Sequence, residues 1–539
     1  MHLFITLISI LLIVFLCESH EQCGKINRYS ESEVCTAEIS EYVAAVVEHY
    51  PNQEPNLSSE ERLMKNTEDF IRILNKIDQN LDIIVFPEAT LYANAKMNVH
   101  DDALPYATKI QDTITGVSLC SSKGNKEEAA FLINLACAAQ NSNTYLVANV
   151  IEKSECNDLE NCAKDGWNLY NTNVVLDRDG AFVSKYRKFN LFGEHYVNQT
   201  AEPDISIFET DFGIKFGMFT CFDILFRRPT LELIEKHNIK HFIFPTMWFS
   251  ELPFLTALQT QHQWAQRHDA VFLTSGANDP KRGSGGSGIY QGKYGPLKYG
   301  IVSEGGSQAH VATVSTHPPE AGGLDATQID KTAKQMDNFF FLKDDLSLYT
   351  SKILTPNQHQ YNEQLCSGSG DNNQLCCHFN IQINWNDEIL NDGKDHYQYR
   401  MVAYSGVRSF SGMYNGGLEI CAILACTGEE IGSCSGRFGN YNDVSWPVTF
   451  NKISIKANFT IDENKVQHPN SLLSSIRPLP VNAVEWLHRY FQDEPIVEWN
   501  YNLIEAQSRL FTFAIYGRDF NRDGPPSTKN TKSLGNINL

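Results

Sequence analysis

The sequence predicts an α/β layered domain of about 250 residues followed by a β-rich, disulfide-stapled domain. Three observations carry this. Strand-like and helix-like segments alternate from residue 24 to about residue 280. The alternation ends near Lys281, where Gly-, Ser- and Tyr-rich sequence runs to Gly306. Six cysteines then fall between Cys366 and Cys434, among short alternating segments such as Phe379 to Trp385 and Tyr399 to Tyr404.

The elements follow in order. Tyr42 to Glu48 (YVAAVVE) reads as a buried strand. Ser58-Ser59-Glu60-Glu61 forms a capping box ahead of a helix whose Leu63, Phe70, Leu74 and Ile77 recur at helical spacing. Leu81 to Phe86 is a second buried strand, ending at Pro87-Glu88. A helix over Ala129 to Gln140 precedes a strand over Tyr145 to Ile151. Thr172 to Leu176 and Ala181 to Tyr186 make a hairpin about Asp179-Gly180. Ile214 to Phe219 leads to Thr220-Cys221. Pro229 suits the first turn of a helix over Leu231 to His237, and His241 to Phe244 and Ala270 to Thr274 complete the strands. Beyond Gly306 the one helical pattern spans Val481 to Phe491.

Composition narrows the function. The 539 residues carry 44 Lys+Arg against 64 Asp+Glu, a net charge of −20, which argues against nucleic acid and anionic membrane partners. Leu3 to Leu16 is an uncharged apolar run followed by Cys17-Glu18-Ser19, so residues 1–19 read as a secretory signal peptide. No later run is long enough for a transmembrane span. The polar tail over 521–539 lacks the hydrophobic end of a GPI signal. Sequons at Asn56, Asn198 and Asn458 agree with export. Loss of Cys17 leaves thirteen cysteines, an odd number, so one is intermolecular or a free reactive thiol. The oligomeric state stays open.

Several motifs carry no chemistry. Gly283 to Gly288 matches G-x-G-x-x-G, but no helix follows it, so it reads as a flexible loop. His262 and His268 are six residues apart on a helix, some 240° around it, and cannot share a metal. Cys421, Cys426 and Cys434 have spacing open to zinc, but disulfides are favoured in an exported chain. No metal or cofactor is expected.

Three strand ends are different. Glu88 follows an apolar strand (IIVFPEA), Lys188 follows a hairpin strand (YRKFNLF), and Cys221 ends another (FGMFTCFD). Open α/β sheets gather reactive groups at the carboxyl ends of strands. Together they supply base, cation and thiol for acyl transfer. Glu88 would take the thiol proton and return it to the leaving amine. Lys188 and the Phe222 backbone N–H would stabilise the oxyanion. Were Cys221 bridged in a disulfide, the chain would instead be a scaffold.

At these residues the sequence resembles the nitrilase (carbon–nitrogen hydrolase) superfamily, whose members use a Glu-Lys-Cys set on an αββα sandwich. Phe86-Pro87-Glu88, Tyr186 to Phe192 and Phe219 to Phe226 are similar to its vanin/biotinidase branch of secreted amidases. So are Tyr42 to Tyr50, Phe244 to Trp248 and Gly286 to Tyr290. The resemblance implies a catalytic domain over 20–334 and a vanin-type domain over 335–520. It also implies a small-molecule amide substrate, with Glu194 as an accessory glutamate. Vanins cleave pantetheine to pantothenate and cysteamine, whereas biotinidase acts on biotin amides such as biocytin. The first reaction is the expected one, with the second, or an inactive binding protein of the same fold, as alternatives. Trp248, near a strand end, is a candidate for substrate contact.

Overall fold

A computed structural model describes residues 40–110, 116–122, 129–156, 162–315, 335–368, 374–492 and 494–525. The expected leader, and the tail from residue 526, lie outside the described residues.

Apolar residues on both faces of the early strands build a four-layer sandwich. In β1 (Glu41–Glu48), Tyr42, Ala44 and Val46 face the layer between two sheets, while Ala45 and Val47 face outward helices. That double burial is why the strand reads as one apolar run. β1 pairs in parallel with β2 (Ile83–Val85), and β2 with β3 (Tyr145–Glu155). β4 (Trp167–Leu176) and β5 (Phe182–Arg187) then continue antiparallel. On the outer face, α1 (Ser59–Leu74) and α2 (Ala130–Asn141) bury Phe70, Leu74, Phe131 and Leu135. The capping box at Ser58 forms as expected: Ser58 N–H donates to Glu61 Oε2 at 2.9 Å, and Glu61 N–H donates to Ser58 Oγ at 3.3 Å.

The second sheet contains β6 (Ile207–Glu209), β7 (Lys215–Met218), β8 (His241–Thr246) and β9 (Val271–Gly276), with β7, β8 and β9 parallel. Tyr42 crosses the interior to Phe216, ring centroids 5.8 Å apart. Behind this sheet lie the short helix α3 (Thr230–Glu235), with Pro229 at its N-cap, and α4 (Ala257–His268). From α4, Trp264 packs on Phe242 at 5.0 Å and Phe272 at 4.6 Å.

The Gly- and Tyr-rich stretch continues the sheets. β10 (Ser287–Gln291) and β11 (Pro296–Gly300) extend the second, and β12 (Gln308–Ser315) pairs with β1 in the first. The Gly283–Gly288 segment corrects the expectation of a flexible loop, because it is buried. A Cβ on Gly283 would lie 2.5 Å from Phe340 O, and one on Gly286 2.9 Å from the Ala257 Cβ. His262 is buried and His268 partly so, and no cluster able to hold a metal occurs among the described residues.

The C-terminal region is a sandwich of two antiparallel sheets. One contains β13 (Thr350–Ile353), β16 (Gln398–Phe410), β17 (Tyr414–Cys426), β19 (Lys465–Leu473) and β22 (Leu510–Gly524). The other contains β14 (Gln360–Ser367), β15 (Leu375–Trp385), β18 (Val448–Thr460), β20 (Val484–Tyr490) and β21 (Ile496–Leu503). The helix expected over Val481 to Phe491 is therefore a strand. β20 is an edge strand that gives the core only Val484 and Trp486, its other residues being mostly exposed, so the period of two is too short to read. β22 also runs past residue 520, and Asp523 is held by Arg518 at 2.8 Å. The bridges are Cys366–Cys376, Cys377–Cys421 and Cys426–Cys434 here, with Cys120–Cys137 and Cys156–Cys162 in the N-terminal region.

The two regions meet across α4 and β19, and the described residues form one compact unit. Asn470 is buried there, donating through Nδ2 to Gln263 Oε1 at 2.6 Å and to Phe254 O at 2.9 Å. No helix among the described residues is long and apolar enough to cross a membrane.

Candidate active site

Chain geometry brings Glu88, Lys188, Glu194 and Cys221 to one cavity holding about 820 Å³ of space, open mouth included. Glu88 follows β2, where the chain turns through Ala89 at φ 61°. Lys188 follows β5 directly, and Cys221 opens a 3₁₀ turn, Cys221–Leu225, just after β7. All three lie at carboxyl ends of strands, where an open α/β sheet places its chemistry.

The charges are buried and paired. The Lys188 side chain is 1% exposed and that of Glu88 3%, so neither charge could persist alone. Lys188 Nζ donates to Glu88 Oε1 at 2.8 Å and to Glu194 Oε1 at 2.5 Å. Glu88 Oε2 accepts from Met247 N–H at 2.8 Å, and the Cys221 thiol points to Met247 O at 3.7 Å. The Met247 backbone thus contacts both the carboxylate, through its N–H, and the thiol, through its carbonyl. Burial alone would lower the Lys188 pKa, but the carboxylates of Glu194 and Glu88 outweigh it and hold the ammonium charged. Burial, reinforced by Glu88, pushes the Cys221 thiol up, with Lys188 opposing. The resting group is therefore a neutral thiol.

Cys221 has a φ of 47°, in the left-handed region that non-glycine residues seldom occupy. Asp223 holds that turn. Its Oδ2 accepts from Thr220 N–H at 3.0 Å and Tyr186 Oη at 2.7 Å, and its Oδ1 accepts from Asn190 N–H and Nδ2, both at 2.8 Å. Burial pushes the Asp223 carboxyl up to about 6 despite these donors. Phe222 N–H lies in the first turn after Thr220, where helical donors lack an intrahelical partner.

Three asparagines that sequence reasoning missed connect the set. Asn171 Nδ2 donates to Glu88 Oε1 at 2.8 Å and to Glu194 Oε1 at 3.0 Å. Asn149 Nδ2 donates to Asn171 Oδ1 at 2.7 Å and Asn173 Oδ1 at 2.9 Å, while its own Oδ1 accepts from Ala89 N–H at 2.9 Å. Asn173 Nδ2 reaches Thr220 Oγ1 at 2.9 Å. All three are buried on β3 and β4. The available signal was a run of uncharged amides in otherwise apolar strands.

The remaining candidates are dispersed. Trp248 is buried, its Nε1 donating to Leu255 O at 2.9 Å, and it borders a second, smaller cavity rather than the one holding Glu88. Asn56 and Asn458 are exposed. Asn198 is half-buried, its Oδ1 accepting from Leu169 N–H at 2.9 Å. Cys221 is the free cysteine among the described residues, so the bridged-scaffold reading falls.

The four-layer α/β sandwich with an unbridged thiol at a strand end falls where the chain matches the carbon–nitrogen hydrolase class. Residues 43–274 match the carbon–nitrogen hydrolase family and residues 339–523 match the vanin C-terminal domain. Vanin-like protein 1 of Drosophila melanogaster is 33% identical over 91% of this chain and 88% of its own length. Human pantetheinase is 30% identical over 76% of this chain and 77% of its own. Biotinidase of Takifugu rubripes is 29% identical over 73% and 81%. The chain belongs to the vanin-like family of carbon–nitrogen hydrolases and is a hydrolase acting on the carbon–nitrogen bonds of amides.

Proposed function

We propose that this protein is a secreted pantetheinase-like amidase in which Cys221 is the nucleophile, Glu88 the general base and acid, and Lys188 the oxyanion-side cation. The observation that carries this is the convergence of a buried, ion-paired carboxylate and a free thiol on one cavity. Because the thiol is neutral at rest, Glu88 accepts its proton as Sγ attacks the amide carbonyl. The tetrahedral oxyanion is stabilised by a Lys188 N–H and the Phe222 N–H, about 2.7–4 kcal/mol per donor. Glu88 then protonates the departing amine, the C–N bond breaks, and an acyl thioester remains on Cys221. A water deprotonated by Glu88 attacks the thioester and releases the acid and the thiol. Glu194 and Asn171 hold Lys188 and Glu88 in register.

Relatives named pantetheinase favour pantetheine as substrate, and the relative named biotinidase makes biocytin the alternative. Residues 1–19 act as a cleaved leader, with glycans at Asn56, Asn198 and Asn458. Five disulfides among the described cysteines suit an oxidising compartment. The test is to offer the purified protein pantetheine, biocytin and simple aliphatic amides beside a Cys221→Ala control. Pantetheine turnover abolished by the substitution is expected. Faster release of biotin would reverse the substrate choice.

A further inference from the structure

The nucleophile borders two cavities. Cys221, Phe192, Met247 and Phe249 line both the larger one and a smaller one holding about 400 Å³ of space, open mouth included. An amide seated on Cys221 therefore has one cavity for each side of its scissile bond.

The two differ in chemistry. The larger offers Asn171, Tyr196, Asn278, Asp279 and Arg282, suited to an acyl group bearing hydroxyls and amides. The smaller is walled by Phe222, Leu225, Trp248, Leu255 and Leu342. Its carboxylate, Glu251, is ion-paired with Arg408 at 2.6 Å, a guanidinium that Asp344 shares at 3.0 Å. A short apolar or sulfur-bearing chain fits such a lobe, since thiol and thioether sulfurs pack well on aromatic rings. The carboxylate of a zwitterionic amine would be desolvated there without a partner, since no Lys or Arg among the described residues lines the lobe.

The lobe is completed by the C-terminal sandwich. Phe410, at the end of β16, and Ser411 close it. Phe410 meets Phe222, the residue after the nucleophile, edge to face at 5.8 Å. Its ring lies under two guanidiniums, Arg408 at 4.8 Å and Arg518 at 5.4 Å, and Arg518 Nε also donates to Leu225 O at 3.0 Å. The ring occupies the space over Gly416, where a Cβ would lie 2.3 Å from it. Phe410 is thus fixed from several sides.

We propose that the smaller lobe binds the leaving-amine side of the substrate, and that Phe410 is a specificity-determining residue that selects a short, thiol-bearing amine. The proposal rests on the amidase reading above and adds which cavity receives which half of the amide.

The test compares kcat/KM for three pantothenoyl amides, of cysteamine, of n-butylamine and of the lysine side-chain amine, in wild type, Phe410→Leu and Phe410→Ala. Wild type should prefer the cysteamine amide over the lysine amide, and Phe410→Ala should shrink that ratio about tenfold or more. Phe410→Leu, which keeps the lobe filled, should fall between and carries the comparison if the alanine variant fails to fold. The ratio of pantetheine to an analogue truncated in its acyl group should stay within about twofold, as hydrophobic-pocket selectivity acts locally. An unchanged amine ratio in a folded variant, or a change in the acyl ratio instead, overturns the proposal. If only biotin amides are turned over, the acyl assignment fails on its own, and the same three amines on biotin still read the lobe.

Discussion

Asp223→Asn tests how the fold presents the proposed nucleophile, Cys221. Asp223 accepts four hydrogen bonds, and an amide keeps only one oxygen. If that oxygen stays with Asn190, the new NH₂ faces Tyr186 Oη and Thr220 N–H. The hydroxyl can turn to accept, but the backbone N–H cannot, which costs about 1–3 kcal/mol as an unmade buried bond. Thr220 immediately precedes Cys221, so displacement of the turn should lower kcat/KM by about 100-fold. Stability carries a second signature. The Asp223 carboxyl is raised by burial from its ordinary 3.8 to about 6. Folding therefore favours its protonated form. The associated stability is full below pH 3.8 and is lost as pH rises through 6, about 3 kcal/mol in all. The asparagine variant has no such loss. Apparent melting temperatures measured from pH 4.5 to 7.5 should show its deficit shrinking as pH rises. A deficit that is constant or grows with pH, or a variant with wild-type kcat/KM, would refute the role given to Asp223.

Further outcomes follow from other parts of the site. Asn171→Ala removes a donor to the ionised Glu88, worth about 1.5–3 kcal/mol, so steady-state kcat/KM should fall about 10- to 150-fold with the fold kept by circular dichroism. Arg518→Met removes the ion-pair partner of the part-buried Asp523, which keeps only the Gly417 N–H at 3.1 Å, and releases Leu225 O, so urea unfolding should show a loss of about 1–3 kcal/mol. Because burial raises the Cys221 thiol, iodoacetamide labelling of this residue should be slow at pH 7 and still accelerating at pH 9. A plateau near neutral pH would show a resting thiolate.

Much of this site could be read from the chain because the three residues proposed to be reactive sit where apolar strands end. IIVFPEA and FGMFTCFD expose the change from a buried run to a polar residue, which is what a strand end in an α/β sheet looks like. The asparagine bridge was hidden because Asn149, Asn171 and Asn173 resemble the wet face of a hairpin. Burial of that face depends on the opposing sheet, a long-range fact. Val481 to Phe491 failed for the opposite reason: at this edge only Val484 and Trp486 reach the core, one alternation too few to tell a strand from a helix. The glycines of Gly283 to Gly288 signal close approach as readily as mobility, and only the neighbours Phe340 and Ala257 decide between them. Phe410 gave no signal at all, since its meeting with Phe222 joins residues nearly two hundred positions apart.

Covalent catalysis at Cys221 is best tested by acid-quenching the protein within its first turnovers of pantetheine and mapping adducts by peptide mass spectrometry. A pantothenoyl thioester on the Cys221 peptide, absent in Cys221→Ala and in an unreacted control, is the predicted result. Product formed without that adduct, or by the alanine variant, would contradict a thioester route through Cys221.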